Sequence, residues 1–212
     1  GKYVSFYKYT NSEFYPSYSI KSNPVLYTNY QLDVWARLNN EIKLTDEEAV
    51  LLELNKDITD AQLFKPNYLS NTLYISKGRI IGNLTKDDVP IKFAKIAESY
   101  MSETVSTLVY SNFYESGILL LSKYLTSIGI YHKIFQPALT NDEKTKILDD
   151  FKEGKLKLVL LHPSLFEGFS INGVRKFHIL EPIQKYYVKE QLYTRVIRYR
   201  SHMHLPINER HV

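Results

Sequence analysis

Three short, largely apolar runs, Thr107–Tyr110, Lys157–Leu161 and Lys176–Leu180, constrain the fold of this chain more than any other feature. A strand with one wet face alternates apolar and polar residues. A run that is apolar almost throughout is buried on both faces, which points to a parallel sheet covered by helices on either side. The intervening sequence supplies the helices. Ile91–Met101 and Glu115–Ser127 have helical spacing, the second closed by Gly129, and Asn141-Asp142-Glu143 caps a helix running to Phe151 that Gly154 ends. Ile130–Phe135 supplies a further strand. Strands and helices alternating at these lengths imply βαβ crossovers, and ligands of such α/β sheets gather at the carboxyl ends of the strands. Ser111-Asn112-Phe113, the turn from Ser164 to Ser170, and Glu181-Pro182 are expected there.

Before Pro90 the pattern is less regular. Aromatic and polar residues alternate over Tyr3–Tyr9, Thr28–Ile42 has helical spacing, Thr45–Glu48 carries a cap-then-acid signature before a helix starting at Ala49, and Asp57–Leu84 reads as a loop or insertion. The expected division is residues 1–90 as an irregular strand and helix segment and residues 91–212 as the core. The chain has 212 residues, enough for one sizeable domain, and its opening at Gly1 without Met suggests a fragment. No stretch is long and apolar enough for a transmembrane helix, so no membrane partner is expected. The absence of cysteine excludes disulfides and zinc-thiolate sites. His202, His204 and His211 have no carboxylate or thiol cluster nearby, and no metal site is assigned to them. A net charge of +4 permits nucleic-acid binding without arguing for it. Tyr3, Tyr7, Tyr9, Tyr15 and Tyr18 read as faces of half-buried strands before they read as base-stacking residues.

The stretch Glu190–Arg198, E-Q-L-Y-T-R-V-I-R, is predicted as a helix in which Gln191, Arg195 and Arg198 share one face while Leu192, Val196 and Tyr199 form the apolar stripe. Two guanidiniums spaced one turn apart suit a phosphate, because each carries a permanent charge and a planar fork of donors. A solvated basic face is the plain alternative.

Set in order, these pieces resemble the second RecA-like domain of superfamily 2 helicases and translocases. Thr107–Phe113 resembles motif IV, Glu143–Phe151 with Gly154 the helix that follows it, Leu158–Ile171 with Glu167-Gly168-Phe169-Ser170 motif V, and Gln191-x-x-x-Arg195-x-x-Arg198 motif VI. Thr194 stands where that motif carries glycine. The segments Gly1–Tyr7, Phe14–Pro16 and Thr28–Gln31, together with Ile197–His202, Leu205-Pro206 and Glu209-Arg210, are similar to the NTPases of large nucleocytoplasmic DNA viruses. The poxvirus early transcription factor small subunit, nucleoside triphosphate phosphohydrolase I and their African swine fever virus counterparts belong to that group.

The resemblance implies a RecA-like three-layer fold and a set of roles. Arg195 and Arg198 would be arginine fingers, with Gln191, Gly168 and Ser170 at the nucleotide and Ser111, Asn112 and Ser164 on a nucleic-acid backbone. ATP and Mg would be bound mainly by a preceding RecA-like domain, since the sequence has no G-x-x-x-x-G-K-[ST] loop. This chain alone is therefore expected not to hydrolyse ATP. DNA or RNA and viral RNA polymerase or transcription-factor subunits are the implied partners, and the virion and host cytoplasm the implied location. The alternative is a RecA-like scaffold without catalysis, favoured by Thr194.

Overall fold

A computed structural model describes residues 15–22, 75–76, 79–80, 89–165, 171–183, 185–198 and 200–212. The readings for Tyr3–Tyr9, Thr28–Ile42, the helix from Ala49, Gly168, Ser170 and Tyr199 lie outside them.

The core is a four-stranded sheet made of β3 (Thr107–Tyr110), β4 (Lys133–Phe135), β5 (Leu158–Leu161) and β6 (Lys176–Ile179), in the order β4-β5-β3-β6 with every pair parallel. The two central strands are the all-apolar runs T-L-V-Y and L-V-L-L, buried at every position. The edge strands are less buried. The register aligns Leu108 with Val159 and Phe177 on one face, and Val109 with Leu160 and His178 on the other.

Helices close both faces and make three layers. On one side α1 (Ile91–Ser102) and α2 (Leu120–Ser127) bring Phe93, Ile96, Ala97, Leu121 and Leu125 against Val109, Leu158 and Leu160. On the other, α3 (Asn141–Lys152) and α4 (Tyr186–Val196) bring Ile147, Phe151, Leu192 and Val196 against Leu108, Tyr110, Val159 and Leu161. Each fully buried side chain of this size contributes about 1.5–3 kcal/mol of hydrophobic stabilisation. The α/β class and mostly parallel sheet expected from the apolar runs are thus present.

Several boundaries differ from the sequence expectation for identifiable reasons. The strand expected over Ile130–Phe135 starts only at Lys133, because the Ile130 N–H donates to Leu125 in closing α2 and the Ile130 carbonyl meets the His132 ring. The cap of α3 is Thr140 rather than Asn141. Its hydroxyl accepts from the Glu143 N–H at 3.3 Å, and the Glu143 carboxylate accepts from the Thr140 N–H at 2.8 Å, a reciprocal capping box. Between β3 and α2 the chain makes a π-helical turn, Tyr114–Leu119, where a continuous α-helix was expected. A small antiparallel pair, β1 (Ile75–Ser76) with β2 (Arg79–Ile80), occurs within the stretch read as loop. At the other end of the sequence, Ser17 bridges His211 in parallel, which joins residues 17–19 to 210–212.

Candidate nucleotide and nucleic-acid site

The described residues among those singled out in the sequence fall into two groups, one beyond the carboxyl ends of the strands and one on α4 and the loop after it. The first gathers at the carboxyl ends of the strands. Glu181, just beyond β6 and only 1 % exposed, accepts a hydrogen bond from the Ser111 hydroxyl at 2.9 Å and from the Asn112 backbone N–H at 2.8 Å. The Ser111 hydroxyl also accepts from the Phe113 N–H at 3.0 Å. Ser111 is therefore fully buried and turned inward, shaping its turn instead of presenting a hydroxyl to solvent. A Cβ on Gly117 would lie 2.0 Å from the Ser111 Oγ, so the π turn approaches this serine only because residue 117 is glycine.

Asn112 is half-buried, and its side-chain oxygen accepts from the Tyr110 hydroxyl at 3.3 Å. Burial and the Glu181 carboxylate push the Tyr110 hydroxyl up to about 12, so it stays protonated and serves as donor. Burial lowers the Lys92 ammonium, with Glu181 opposing that shift.

Ser164 follows β5. It is exposed, and its N–H and hydroxyl lie 3.1 and 2.8 Å from Nδ1 of His162. The His162 ring packs at 4.3 Å from that of Tyr114, whose hydroxyl donates to the Gln136 side chain at 2.6 Å. Carboxyl ends of β3, β4 and β5 thus present Asn112, Tyr114, Gln136, His162 and Ser164 together. His162 and the bonding role of Glu181 escaped sequence reasoning. Glu181 was placed at a strand end, but nothing in the sequence marks a partner seventy residues earlier.

The second group is carried by α4 and the loop beyond it. The helix expected over Glu190–Arg198 instead spans Tyr186–Val196, so Arg195 is helical and Arg198 is not. In a continuing helix the Arg198 N–H would bond the Thr194 carbonyl. Here that N–H donates to the Ser201 hydroxyl at 3.3 Å, and the Thr194 carbonyl is taken by Nε of Arg198 at 3.0 Å. The two arginines therefore do not share a helical face. Thr194 is exposed and its hydroxyl donates to the Gln191 carbonyl at 2.9 Å, so the residue in the glycine position leaves the packing of α4 intact.

Gln191 is half-buried, and its side-chain oxygen is buried without a hydrogen-bond partner in this structure. An acceptor in that state costs about 1–3 kcal/mol. A donor arriving from a ligand or a facing domain would recover that cost.

After Arg198 the chain turns through Arg200, whose φ is +61°, and packs on the loop before β6: the Gly173 N–H donates to the Ser201 carbonyl at 3.0 Å. Arg198 is thus tied, through Ser201, to the loop before β6. Among the described residues no group of three histidines or carboxylates is arranged to hold a metal ion, and no helix is long and apolar enough to cross a membrane.

No protein-family model matches the chain. A protein of Acanthamoeba polyphaga mimivirus named “Putative ATP-dependent RNA helicase L538” is 26% identical over 216 residues. The match covers 99% of this chain and 46% of the relative, so the chain spans less than half the length of the protein it matches. Among solved structures, the C-terminal part of the Fun30 ATPase domain is similar with a TM-score of 0.47 and 14% identity, over 54% of this chain and 39% of that one. The Sulfolobus solfataricus SWI2/SNF2 ATPase C-terminal domain gives 0.44 and 16%, over 72% and 64%.

Proposed function

We propose that this chain is the second RecA-like domain of a viral superfamily 2 ATP-dependent helicase or translocase acting on nucleic acid in viral transcription, with residues 91–212 as its core. The observation that carries the reading is Gln191, with its buried unpartnered oxygen, one turn before Arg195 on the helix that follows β6 of a parallel sheet, with Arg198 fastened just beyond. The end-to-end match to the mimivirus protein supports it.

In this reading a preceding RecA-like domain holds ATP and Mg, and Arg195 and Arg198 approach the phosphates across the cleft between domains. A permanently charged planar donor fits that task, because the transferring phosphoryl spreads negative charge over its oxygens. Asn112 and Ser164 would touch a nucleic-acid backbone from the other group, with no sequence preference. Ser111 would act only by shaping the turn. Gly168 and Ser170 keep the nucleotide-side role that the motif resemblance gives them. The scaffold alternative, a RecA-like domain that binds transcription-complex partners without catalysis, rests on Thr194, which is exposed and donates to the Gln191 carbonyl.

The test is ATP turnover by the full-length polypeptide, with and without single-stranded DNA, duplex DNA and RNA, in wild type, Arg195→Ala and Arg198→Ala. The expected result is a nucleic-acid-stimulated rate that falls by about a thousandfold in either variant. An unchanged rate would return the scaffold reading to the front. The 212-residue chain by itself is expected to be inactive, and robust Mg-dependent turnover by it, lost in Arg198→Ala, would overturn the division of labour.

A further inference from the structure

Two buried polar residues outside the predicted site, Ser201 and His202, are only 2 % and 1 % exposed. Nε2 of His202 lies 2.6 Å from the Val174 carbonyl, which can only accept, so that nitrogen carries hydrogen. Burial holds the imidazole below its ordinary value, so the ring is neutral and Nδ1 is an acceptor. The Ser201 hydroxyl lies 2.7 Å from Nδ1 and 2.8 Å from the Arg198 carbonyl, two acceptors that compete for its one proton. The same oxygen accepts the Arg198 N–H at 3.3 Å. The Ser201 N–H serves the Arg198 carbonyl at 3.1 Å, and the Ser201 carbonyl takes the Gly173 N–H at 3.0 Å.

The result is a connected network from Arg198 through Ser201 and His202 to Val174, with both backbone polar groups of Arg198 fixed by a single serine. Gly173 admits this close packing: its φ is +78°, and a Cβ there would meet the His204 ring at 2.8 Å.

We propose that Ser201 and His202 are positioning residues for Arg198, holding its backbone in the non-helical turn that aims the guanidinium and tying it to the Gly173–Val174 loop before β6. This rests on the reading of Arg198 as a group that acts on nucleotide. A serine and histidine that served packing alone would contribute to stability independently of that arginine. Positioning residues act through it.

The test is a double-mutant cycle on kcat and KM for nucleic-acid-stimulated ATP hydrolysis by the full-length polypeptide, with thermal unfolding measured on each variant. Ser201→Ala and His202→Leu are expected to lower kcat about tenfold with KM for ATP within about twofold. Adding Ser201→Ala to Arg198→Ala should cost nothing further, since coupled residues are not additive. His202→Gln, whose amide N–H can reach the Val174 carbonyl, should recover most of the His202→Leu loss. Multiplicative effects in the cycle, a wild-type kcat in Ser201→Ala, or a His202→Gln rate as low as that of His202→Leu would each overturn the proposal. If Ser201→Ala shows no cooperative unfolding transition, His202→Gln and His202→Leu carry the cycle instead. An Arg198→Ala rate equal to wild type sinks the functional reading and this inference with it, whereas a large Arg198→Ala effect with an additive Ser201→Ala sinks this inference alone.

Discussion

His178 sits on β6 facing α1 and α2, with Nε2 buried and unpartnered, and burial with help from Lys176 depresses its imidazole to about 4 from an ordinary 6.5. The unfolded chain therefore takes up the proton first as pH falls. The contribution of neutral His178 is complete above the unfolded value near 6.5, shrinks as pH drops toward 4, and is spent below that, in all about 3 kcal/mol at most. His132, His202 and His204 are shifted the same way, mainly by burial, and add to the slope. Urea midpoints at pH 7 and pH 4.5 should show the loss in wild type and a clearly smaller one in His178→Leu. That variant should be at least as stable as wild type at pH 7, because it removes a buried nitrogen with no partner. An equal loss in both proteins would mean that His178 is solvated.

At the scale of elements, the turn between β3 and α2 depends on one glycine. Gly117→Ala puts a methyl 2.0 Å from the Ser111 Oγ and 2.7 Å from its Cβ, so it must displace the serine that Glu181 holds. A cost of about 2–4 kcal/mol is expected, combining overpacking with a broken buried hydrogen bond. Gly129→Ala, with φ at +75° and open space around it, should cost only about 1 kcal/mol. Chemical denaturation of the two variants checks the order, and a reversed order would show that the turn yields easily.

The legibility of the elements follows the same division between local and distant causes. T-L-V-Y and L-V-L-L were readable because burial on both faces leaves no room for polar residues. The end of α4 was not, because it is decided by Ser201 capturing the Arg198 N–H, and R-V-I-R taken alone continues the helical spacing. Two-residue strands such as Ile75–Ser76 are too short to show a period. Of the described site residues, Ser111, Asn112 and Ser164 stand just beyond strands as expected and Gln191 and Arg195 on a helix, whereas Arg198 lies outside it. Their division into two groups is one that no spacing reveals.

For the whole molecule, on the function proposed above, two separate groups predict that ATP turnover and nucleic-acid binding can be impaired one at a time. Asn112→Ala with Ser164→Ala should raise the nucleic-acid concentration for half-maximal stimulation several-fold while leaving the saturated rate near wild type, since lost backbone contacts weaken binding without touching the phosphoryl group. Arg198→Ala should do the reverse. Titration of ATP turnover against nucleic acid separates the outcomes, and loss of saturated rate in the strand-end variant would refute the split. The pairing of residues 17–19 with 210–212 has a mechanical meaning as well. Ser17 and Ser19 donate to Arg210 and Val212, and Val212 donates back to Ser17, along two segments that run the same way. Tension drawn through Val212 along that direction would shear these bonds together instead of peeling them in turn.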